Sequence, residues 1–480
     1  MKKIILMLST YNTLTRALEE FKPMKGRIVK MFVCGPTVYD YPHIGHAKTY
    51  VAMDVVARYL RFKGYSVFYV QNITDIDNRI INRAKENGED PKDLAERFLK
   101  IYYADMEQLN ITSVNLFAKA TQHVEEIIEQ IQALIKKGYG YESNGSVYFE
   151  VDKFKDFGKL SRQKKEKLIA GARVEIDPDK KNPEDFALWK RRKEGEPFWP
   201  SPWGDGRPGW HIEDTAISFN YLGDQYDIHG GGIDLIFPHH ESEIAIAESL
   251  SGKKPFVRYW MHPGFLKVDG EKMAKSLGNF VTIRKILEMC DSEVLRFFLS
   301  YTHYRSPIDF TYELLDEAKS AYLRLEESFS KVSKISKVSG SVEEDSDLRT
   351  AFEKTERKFF DSMDSDFNTR EAITSLFVLS RAINQSKLND RTCVEEIKDF
   401  WGKVSQILGL FSISESLFSI SESEESRGDL TEKLISAMIE IRDIERKSGR
   451  YDFADAIRKK LEGLGIKLED TKEGTEWKLV

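Results

Sequence analysis

Residues 28–46 read IVKMFVCGPTVYDYPHIGH, and this stretch decides the fold expected for the first part of the chain. The apolar run from Ile28 to Val33 stops at Cys34-Gly35-Pro36, which is typical of a buried strand that ends in a turn. Helical apolar spacing follows from about 43 to 63, and a β-rich segment occupies 65–73. Strand, helix and strand at this spacing predict a βαβ unit of a parallel sheet.

Outward from this unit the pattern predicts an α/β protein with a Rossmann-type parallel sheet and an inserted subdomain. An all-α helical bundle and a small C-terminal module are expected to follow. Trp210 to Ile217 has strand character, and a helix is expected near His239. The predicted divisions are the two halves of the sheet domain at 1–138 and 209–290, the insertion at 139–208, helical regions at 291–330 and 331–429 with Ser/Glu-rich linkers, and the module at 430–480.

Length and composition exclude several classes of protein. A chain of 480 residues with 41% apolar and 31% charged side chains is too hydrophobic for wholesale disorder and long enough for several domains. Its three cysteines are too few and too scattered for a disulfide framework, which favours a reducing compartment. The net charge of −6 is not that of a basic nucleic-acid coat, and no apolar run approaches the roughly 20 residues of a membrane span. We therefore expect a soluble, cytoplasmic protein.

A first candidate for ligand binding is Pro42-His43-Ile44-Gly45-His46. The string follows the first strand and starts the predicted helix, where free N–H groups and the positive end of the helix dipole attract phosphate. His43 and His46 are three positions apart, so both imidazoles lie on one helix face. Gly45 between them lets a flat base approach the backbone. A metal pair or two surface histidines are the alternatives for this string alone.

A second candidate is the string EKMAKSLG at 271–278. Lys272 and Lys275 on a loop bounded by glycine are suited to clamping the β- and γ-phosphates of a nucleotide as pyrophosphate leaves. An ordinary basic loop is the alternative reading in isolation.

Together and in this order, the two strings resemble the paired signatures of class I aminoacyl-tRNA synthetases; the second departs at Ala274, where serine is usual. The surrounding sequence resembles the cysteinyl-tRNA synthetase family, at 31–40, 72–77, 207–213, 227–234 and 237–243. The resemblance implies ATP-dependent activation of cysteine to cysteinyl-adenylate. It further implies transfer to the terminal ribose of the cysteine tRNA, with ATP and Mg²⁺ at the site.

The resemblance also implies a zinc ion that binds the substrate thiolate. Its ligands here would be Cys34, Asp214, His239 and Glu243, but the family has cysteine at position 214. One hypothesis is weaker zinc binding, or tolerance of a harder ion such as manganese or iron. Another is that no metal is tightly held and the shape of the pocket selects the thiol. Cys290 is in no matching motif and is expected to be a small buried hydrophobic residue.

Other site residues follow from the resemblance. Cys34, Thr74, Trp210 and His229 would form the cysteine pocket, and if 210–214 is extended, Trp210 and Asp214 point to the same side. Asp75 and Asp77 are candidates for magnesium binding or for helix capping and salt bridges. The implied ATP contacts are Gly45, Gly230, Gly231, Gly232, Asp234 and Lys275, with His43, His46, Lys272 and Lys275 in the catalytic roles.

The last module has the composition of an RNA-binding segment. Residues 441–460 contain seven basic and four acidic side chains, and Arg442, Arg446 and Arg450 repeat every four positions. Arginine and an aromatic side chain suit unstacked single-stranded bases. A solvated charged helix is the alternative. The resemblance implies that Arg446, Tyr451, Asp455 and Asp470 read the anticodon.

Two other functions compete with this interpretation. A tRNA-independent cysteine ligase would use the same adenylate but lack the module at 430–480, whose presence favours tRNA. A catalytically inactive RNA-binding descendant would have lost some of His43, His46, Lys272 and Lys275, which are all present. A monomer is expected by analogy with relatives of the family.

Overall fold

The structure is a computed structural model that describes residues 7–162, 178–273, 279–335 and 345–411, and beyond them 439, 442, 446, 451–462, 466–470 and 475–479. The chain divides into two compact units, Met1–Ser412 and Ile413–Val480. Most of both predicted linkers, and the lysine of the second string at 275, lie outside the described residues. In the described part, no helix combines the length and the apolar character that a membrane crossing needs.

The strands are β1 (Ser9–Asn12), β2 (Ala17–Glu20), β3 (Ile28–Val33), β4 (Ser66–Ile73), β5 (Leu116–Lys119), β6 (Gly140–Ser143), β7 (Ser146–Phe149), β8 (Phe186–Arg191), β9 (Gly206–Pro208), β10 (Tyr226–Gly230), β11 (Val257–Met261), β12 (Leu266–Val268), β13 (Glu271–Lys272), β14 (Ile308–Phe310), β15 (Ile466–Asp470) and β16 (Thr475–Leu479). The helices are α1 (Ile44–Phe62), α2 (Asn78–Asn87), α3 (Pro91–Gln108), α4 (Val124–Lys136), α5 (Trp210–Leu222), α6 (Glu241–Ser251), α7 (Ile283–Leu287), α8 (Ser292–Ser300), α9 (Tyr312–Ser333), α10 (Ser346–Asp364), α11 (Thr369–Gln385), α12 (Arg391–Leu408) and α13 (Tyr451–Glu462).

The central sheet has five parallel strands in the order β11-β10-β3-β4-β5. The predicted βαβ unit is confirmed, because β3 and β4 are neighbours and α1 connects them. The strand order reverses between β3 and β10, and ligands of open α/β sheets bind outside the carboxyl ends at such a point. There the backbone N–H of Cys34 donates to the carbonyl of Gly230 at 2.9 Å. These two strand ends therefore form one wall of the expected site.

Helix α1 begins at the predicted histidine pair. The backbone N–H of His46 donates to Nδ1 of His43, the N-cap residue, and the backbone N–H of His43 donates to Nδ1 of His46, each at 3.3 Å. This reciprocal capping partners two backbone donors that a helix start otherwise leaves free. The helix therefore starts where the sequence predicts, with both imidazoles fixed on its first turn.

A three-stranded sheet of β13, β12 and β14 carries the start of the lysine string. Strand β12 pairs antiparallel with β13, which includes Lys272, and parallel with β14. The buried Lys48 of α1 anchors this sheet, since its Nζ donates to the carbonyl of Phe265 at 3.1 Å and to that of Ser306 at 2.6 Å. The helix that begins at the histidine pair is thereby joined to the strands that lead into the lysine loop.

The segment that starts at Trp210 is helix α5, so the predicted strand is wrong. Every residue from His211 to Ser218 is buried, and the segment has no polar face that would reveal a helical period. Trp210 and Asp214 are i and i+4 on this helix, so they still share a face, as expected, although by helical rather than strand geometry.

The rest of the described chain agrees in outline with the predicted fold class. The insertion contains the antiparallel sheet β6-β7-β8-β9, and the described chain beyond 291 is mainly helical. Two exceptions to that helical prediction are β14 and the antiparallel hairpin of β15 and β16. Cys290 is half-buried rather than buried, so that expectation was wrong, because it lies just before the start of α8 at the edge of the packing.

Candidate functional site

The four residues implied as metal ligands converge at the carboxyl end of β3. Cys34 directly follows β3, Asp214 projects from α5, His239 lies in the irregular helical turn Ile236–His240, and Glu243 belongs to the first turn of α6. One ligand atom of each residue lies within 4.8 Å of the other three. All four side chains are at most 4% exposed. The fold thus assembles one buried donor cluster, called the thiol cluster below, from four separate segments.

The distances within the thiol cluster are short and point to a common centre. Oδ2 of Asp214 lies 3.2 Å from Sγ of Cys34 and 3.1 Å from Nε2 of His239. Oε1 of Glu243 lies 3.1 Å from the same His239 nitrogen and 3.9 Å from Sγ of Cys34. Zinc bonds of about 2.0–2.3 Å to sulfur, nitrogen and oxygen separate the ligand atoms of a tetrahedral site by roughly these distances.

Two more histidines contact the sulfur of Cys34. Nε2 of His229 lies 3.3 Å away, and Nε2 of His240 lies 3.1 Å away. With Cys34 and Glu243 they form a second group of metal-ligating type. His229 was expected in the cysteine pocket, whereas His240 was not predicted as a site residue. The adjacent histidines at 239 and 240 were the available signal.

The outer nitrogen of each imidazole, and the outer oxygen of Asp214, also has a hydrogen-bond partner. Such partners fix the tautomer and the orientation of metal ligands. The pairs are His239 Nδ1 with His211 Nδ1 (2.9 Å), His240 Nδ1 with His262 Nε2 (2.8 Å), His229 Nδ1 with Tyr226 Oη (2.6 Å), and Asp214 Oδ1, which accepts from Asn72 Nδ2 (2.7 Å).

The electrostatics of the thiol cluster favour a cation at its centre. Burial raises the pKa of Cys34 well above its usual value, and the carboxylates of Asp214 and Glu243 raise it further. Burial, with Asp214 beside it, also raises the pKa of Glu243. Oε2 of Glu243 is buried without a hydrogen-bond partner among the described residues. A bound divalent cation relieves each of these costs, and thiolate, imidazole and carboxylate are all zinc ligands, so these residues fit a metal ion.

The expected cysteine-pocket residues are only partly brought together. Trp210 stacks on the His239 ring with centroids 4.2 Å apart and lines the open cleft beside Cys34. Thr74 is buried, and its hydroxyl donates to Oε2 of Glu213 at 3.0 Å. Among the described residues that line the cleft, Thr74 and His229 do not occur.

The histidine pair lines the same cleft as Cys34 and Trp210. The rings of His43 and His46 stack with centroids 3.7 Å apart and an interplanar angle of 15°. Burial, reinforced by His43 and by the nearby Arg79, lowers the pKa of His46 well below its usual value. A neutral imidazole such as that of His46, at a helix N-terminus, can donate a hydrogen bond to phosphate without first taking up a proton.

The glycines implied in ATP binding have different surroundings. Gly45 and Gly232 line the cleft together with Asp234. A Cβ on Gly230 would approach the Met53 side chain to 2.4 Å, and one on Gly231 would approach the His240 ring to 2.8 Å. Those two glycines therefore allow close packing of the protein against itself, and Gly232 is the member of the triplet that faces the cleft.

One cleft of about 400 Å³ connects these groups. Its lining includes Cys34 and Trp210 together with His43, Gly45 and His46. This volume is within the usual range of small-molecule sites, about 300–1,000 Å³. The same cavity can thus hold a thiol group near Cys34 and a phosphate near the start of α1.

Lys272, Lys275, Asp75 and Asp77 were also predicted as candidate site residues. Lys272 pairs in β13 with its backbone, and Lys275 lies outside the described residues. Both oxygens of Asp75 accept hydrogen bonds from Thr121, and Asp77 caps α2. Capping and a salt bridge, which the sequence left open for Asp77 beside magnesium binding, are both observed, the salt bridge with Arg79 at 2.8 Å.

In the C-terminal unit, some of the residues expected to contact RNA are bonded to each other, and one is exposed. The buried guanidinium of Arg442 binds both oxygens of Asp470, at 3.0 and 2.8 Å, and Arg446 binds one of them at 2.9 Å. This bonding to Arg442 lowers the pKa of Asp470. Asp455 is exposed on α13, and the side chain of Tyr451 lies outside the described residues.

Comparison with known proteins agrees with this fold and site. The family model described as "tRNA synthetases class I (C) catalytic domain" matches residues 20–320, and the model "DALR domain" matches 358–412. The cysteine–tRNA ligases of Thermococcus gammatolerans and Thermococcus kodakarensis are 50% and 51% identical over 478 residues, which is 98% of this chain and of each relative. Mycobacterium tuberculosis methionyl-tRNA synthetase in complex with methionyl-adenylate aligns with a TM-score of 0.58 at 16% identity, over 80% of this chain and 90% of that one, which shows a shared fold.

The parallel sheet, the capped histidine pair and the matching domain models define a class I aminoacyl-tRNA synthetase. Within that class, the chain belongs to the cysteine–tRNA ligase family. It uses ATP to activate cysteine and attaches it to tRNA for protein synthesis. The tRNA-independent ligase is not favoured, since the cysteine–tRNA ligase relatives match 98% of the chain.

Proposed function

We propose that cysteine lies in the cleft with its thiol at the thiol cluster, and that ATP lies with its phosphates at the start of α1. The observation that carries this proposal is the single cleft lined by Cys34 at one end and by His43 and His46 at the other. The two imidazoles donate to the phosphates, and Gly45 and Gly232 leave room for the nucleotide.

The remaining nucleotide contacts follow the same arrangement. Asp234 accepts a hydrogen bond from a ribose hydroxyl, and Lys272 and Lys275 neutralise the charge that develops on the departing pyrophosphate. Mg²⁺ enters with ATP and is held mainly by its phosphates. Asp75 and Asp77 are given no part in holding it, since both oxygens of Asp75 accept from Thr121 and Oδ1 of Asp77 caps α2 and binds Arg79.

We further propose zinc at the thiol cluster, with Cys34, Asp214, His239 and Glu243 as its ligands. Zinc bound there would keep the sulfur of cysteine as a thiolate at neutral pH. The thiol cluster would then reject serine, since a hydroxyl is a harder and much weaker acid than a thiol. Asp214 makes the donor set harder than the family pattern, which supports looser zinc binding and acceptance of manganese or iron.

The reaction proceeds by positioning and electrostatics. The carboxylate of cysteine attacks the α-phosphorus of ATP, the new O–P bond forms, and pyrophosphate leaves with the electrons of the broken bond. A terminal ribose hydroxyl of tRNA then attacks the carbonyl of the adenylate and releases AMP. His43 and His46 hold the phosphates in line, while Asn72 and His211 keep Asp214 and His239 oriented toward the thiol.

The first test is cysteine-dependent ATP–pyrophosphate exchange, measured with and without a strong chelator and with serine as competitor. Loss of exchange in chelator and its return with zinc are expected. Full exchange from a protein shown to be metal-free would leave the enzyme in place but overturn the zinc proposal. Metal analysis of protein purified without added zinc supplies the occupancy.

The C-terminal unit is proposed to read the anticodon through Arg446, Tyr451 and Asp455, with Asp470 as the anchor that orients Arg446. The half-exposed guanidinium of Arg446 and the exposed carboxylate of Asp455 support this, because unstacked bases present free edges to such groups. We propose a cytoplasmic monomer. Light scattering checks its mass, and charging of anticodon variants of the cysteine tRNA checks the reading.

A further inference from the structure

Arg79 is a cation of the cleft that none of the roles above uses. It lies in the first turn of α2, and its side chain is 46% exposed and lines the cleft. Its Nε donates to Oδ1 of Asp77 at 2.8 Å, and its Nη2 donates to the hydroxyl of Thr37 at 2.7 Å. Two polar contacts of this kind hold a guanidinium in one orientation and leave its other N–H groups for a ligand.

Two aromatic rings fix the plane of the same group. The guanidinium carbon of Arg79 lies 5.3 Å from the ring centroid of Tyr39 and 5.6 Å from that of Trp210. Trp210 in turn stacks on His239 of the thiol cluster. Arg79 is therefore connected, through one tryptophan, to the place where the thiol of the substrate is held.

Arg79 also acts on the phosphate end of the cleft. Its positive charge is one cause of the lowered pKa of His46, which places it within electrostatic range of the histidine pair. Of the described residues that line the cleft, it is the one with a permanently charged cationic side chain. It is thus a cation held between the two ends of the site.

The reaction needs a cation in that intermediate position. In cysteine the carboxylate is three bonds from the sulfur, so a thiol held at Cys34 puts the carboxylate in the middle of the cleft. The carboxylate then approaches an α-phosphoryl group that is also negatively charged. A guanidinium can donate to both anions at once, which removes their repulsion and aligns them.

We propose that Arg79 binds the carboxylate of cysteine and donates to the α-phosphoryl group as the adenylate forms. The proposal rests on the activation reaction described above and adds a catalytic residue to it. The carboxylate oxygen forms the O–P bond and pyrophosphate leaves, while Arg79 keeps its proton throughout. Asp77 and Thr37 are its positioning residues.

The test compares cysteine with cysteamine, which has the same thiol and amine but no carboxylate. We expect Arg79→Gln to weaken cysteine binding about 10- to 100-fold, the usual effect of losing a hydrogen bond between charged groups, and to leave cysteamine binding within about twofold. The kcat of ATP–pyrophosphate exchange falls as well, and Arg79→Lys recovers part of both losses. Titration calorimetry of the full-length protein measures each ligand separately.

Arg83→Gln is the matched control, since Arg83 is one turn further along α2, is similarly exposed at 41%, and pairs with Asp40 and Glu86 outside the cleft lining. It should leave both ligands and the exchange rate unchanged. Equal weakening of cysteine and cysteamine in Arg79→Gln, or no weakening of either, would overturn the proposal. Absence of cysteine-dependent exchange in the unmodified protein would instead count against the proposed function itself.

Discussion

Oδ2 of Asp214 lies 3.1 Å from Nε2 of His239, at the position where the resembled family has a cysteine. The carboxylate thus occupies the place of a thiolate without disturbing the convergence of Cys34, His239 and Glu243. A carboxylate is a harder ligand than a thiolate, so the metal ion proposed above would be held by a harder donor set on the same arrangement of segments.

Asp214→Cys is expected to tighten zinc binding about tenfold or more and to lower the ratio of manganese to zinc affinity, because a soft thiolate replaces a hard oxygen ligand. Competition with a chromophoric chelator measures both affinities in the absence of substrate. Asp214→Asn, which keeps the shape but removes the charge, should weaken zinc. Tighter zinc binding in the unmodified protein than in the cysteine variant would contradict this account.

Lys48→Met is expected to lower the free energy of unfolding by about 1–3 kcal/mol, because the carbonyls of Phe265 and Ser306 lose their donor. Burial lowers the pKa of Lys48 to about 7, whereas the unfolded chain has the ordinary value of 10.5. Between these values the unfolded state binds more protons, so the contribution of Lys48 to stability rises with pH.

Urea unfolding at pH 7 and pH 9 checks this dependence. The stability difference between the unmodified protein and Lys48→Met should grow by about 2 kcal/mol from the lower to the higher pH. Lys48→Arg, whose charge does not titrate in this range, serves as the control and should show no such growth relative to Lys48→Met. If the stability difference between the unmodified protein and Lys48→Met stays constant or decreases from pH 7 to pH 9, Lys48 does not have the lowered pKa described here.

Arg296→Met is expected to cost about 3–5 kcal/mol of stability, because it removes one of the two arginine partners of the buried Asp54 and leaves two buried backbone carbonyls without their donor. The guanidinium of Arg296 is fully buried, binds Asp54 at 2.5 Å, and also donates to the carbonyls of Leu109 and Leu408. Arg58→Met, which removes the other and more exposed arginine partner of Asp54, should cost less. Chemical unfolding of the two variants ranks them, and the reverse ranking would be inconsistent with this network.

In the C-terminal unit, Asp470→Ala is expected to affect both stability and tRNA charging, whereas Arg446→Gln is expected to affect tRNA binding alone. The alanine variant removes the partner of the buried Arg442, so it should lower the melting temperature of this unit as well as tRNA charging. The glutamine variant should raise the KM for tRNA while leaving melting nearly unchanged, because Arg446 is half-exposed. Differential scanning calorimetry together with charging kinetics separates the two effects. Unaltered melting of Asp470→Ala would remove the structural role assigned to it.

The sequence predicts β3 and the start of α1 well, because an apolar run and a turn before a histidine pair are local signals. Helix α5 was predicted as a strand, because a helix that is buried on all sides shows no amphipathic period. His240 was missed for a different reason. Adjacent residues of a regular helix point about 100° apart, but the irregular turn Ile236–His240, where Phe237 is extended, turns both imidazoles toward Cys34.

The segments that surround Cys34 in the folded protein are synthesised long after Cys34 itself. A growing chain carries this thiol through the synthesis of about two hundred further residues before the last of its neighbours, Glu243, exists to enclose it. At roughly 5–20 residues per second, the sulfur is open to oxidants and stray metal ions for about ten to forty seconds during each round of translation. Once α5 and α6 are in place, Cys34 is 4% exposed and lines the substrate cleft. Oxidation of its sulfur is therefore expected to be faster during synthesis, under the conditions around the ribosome, than in the folded enzyme.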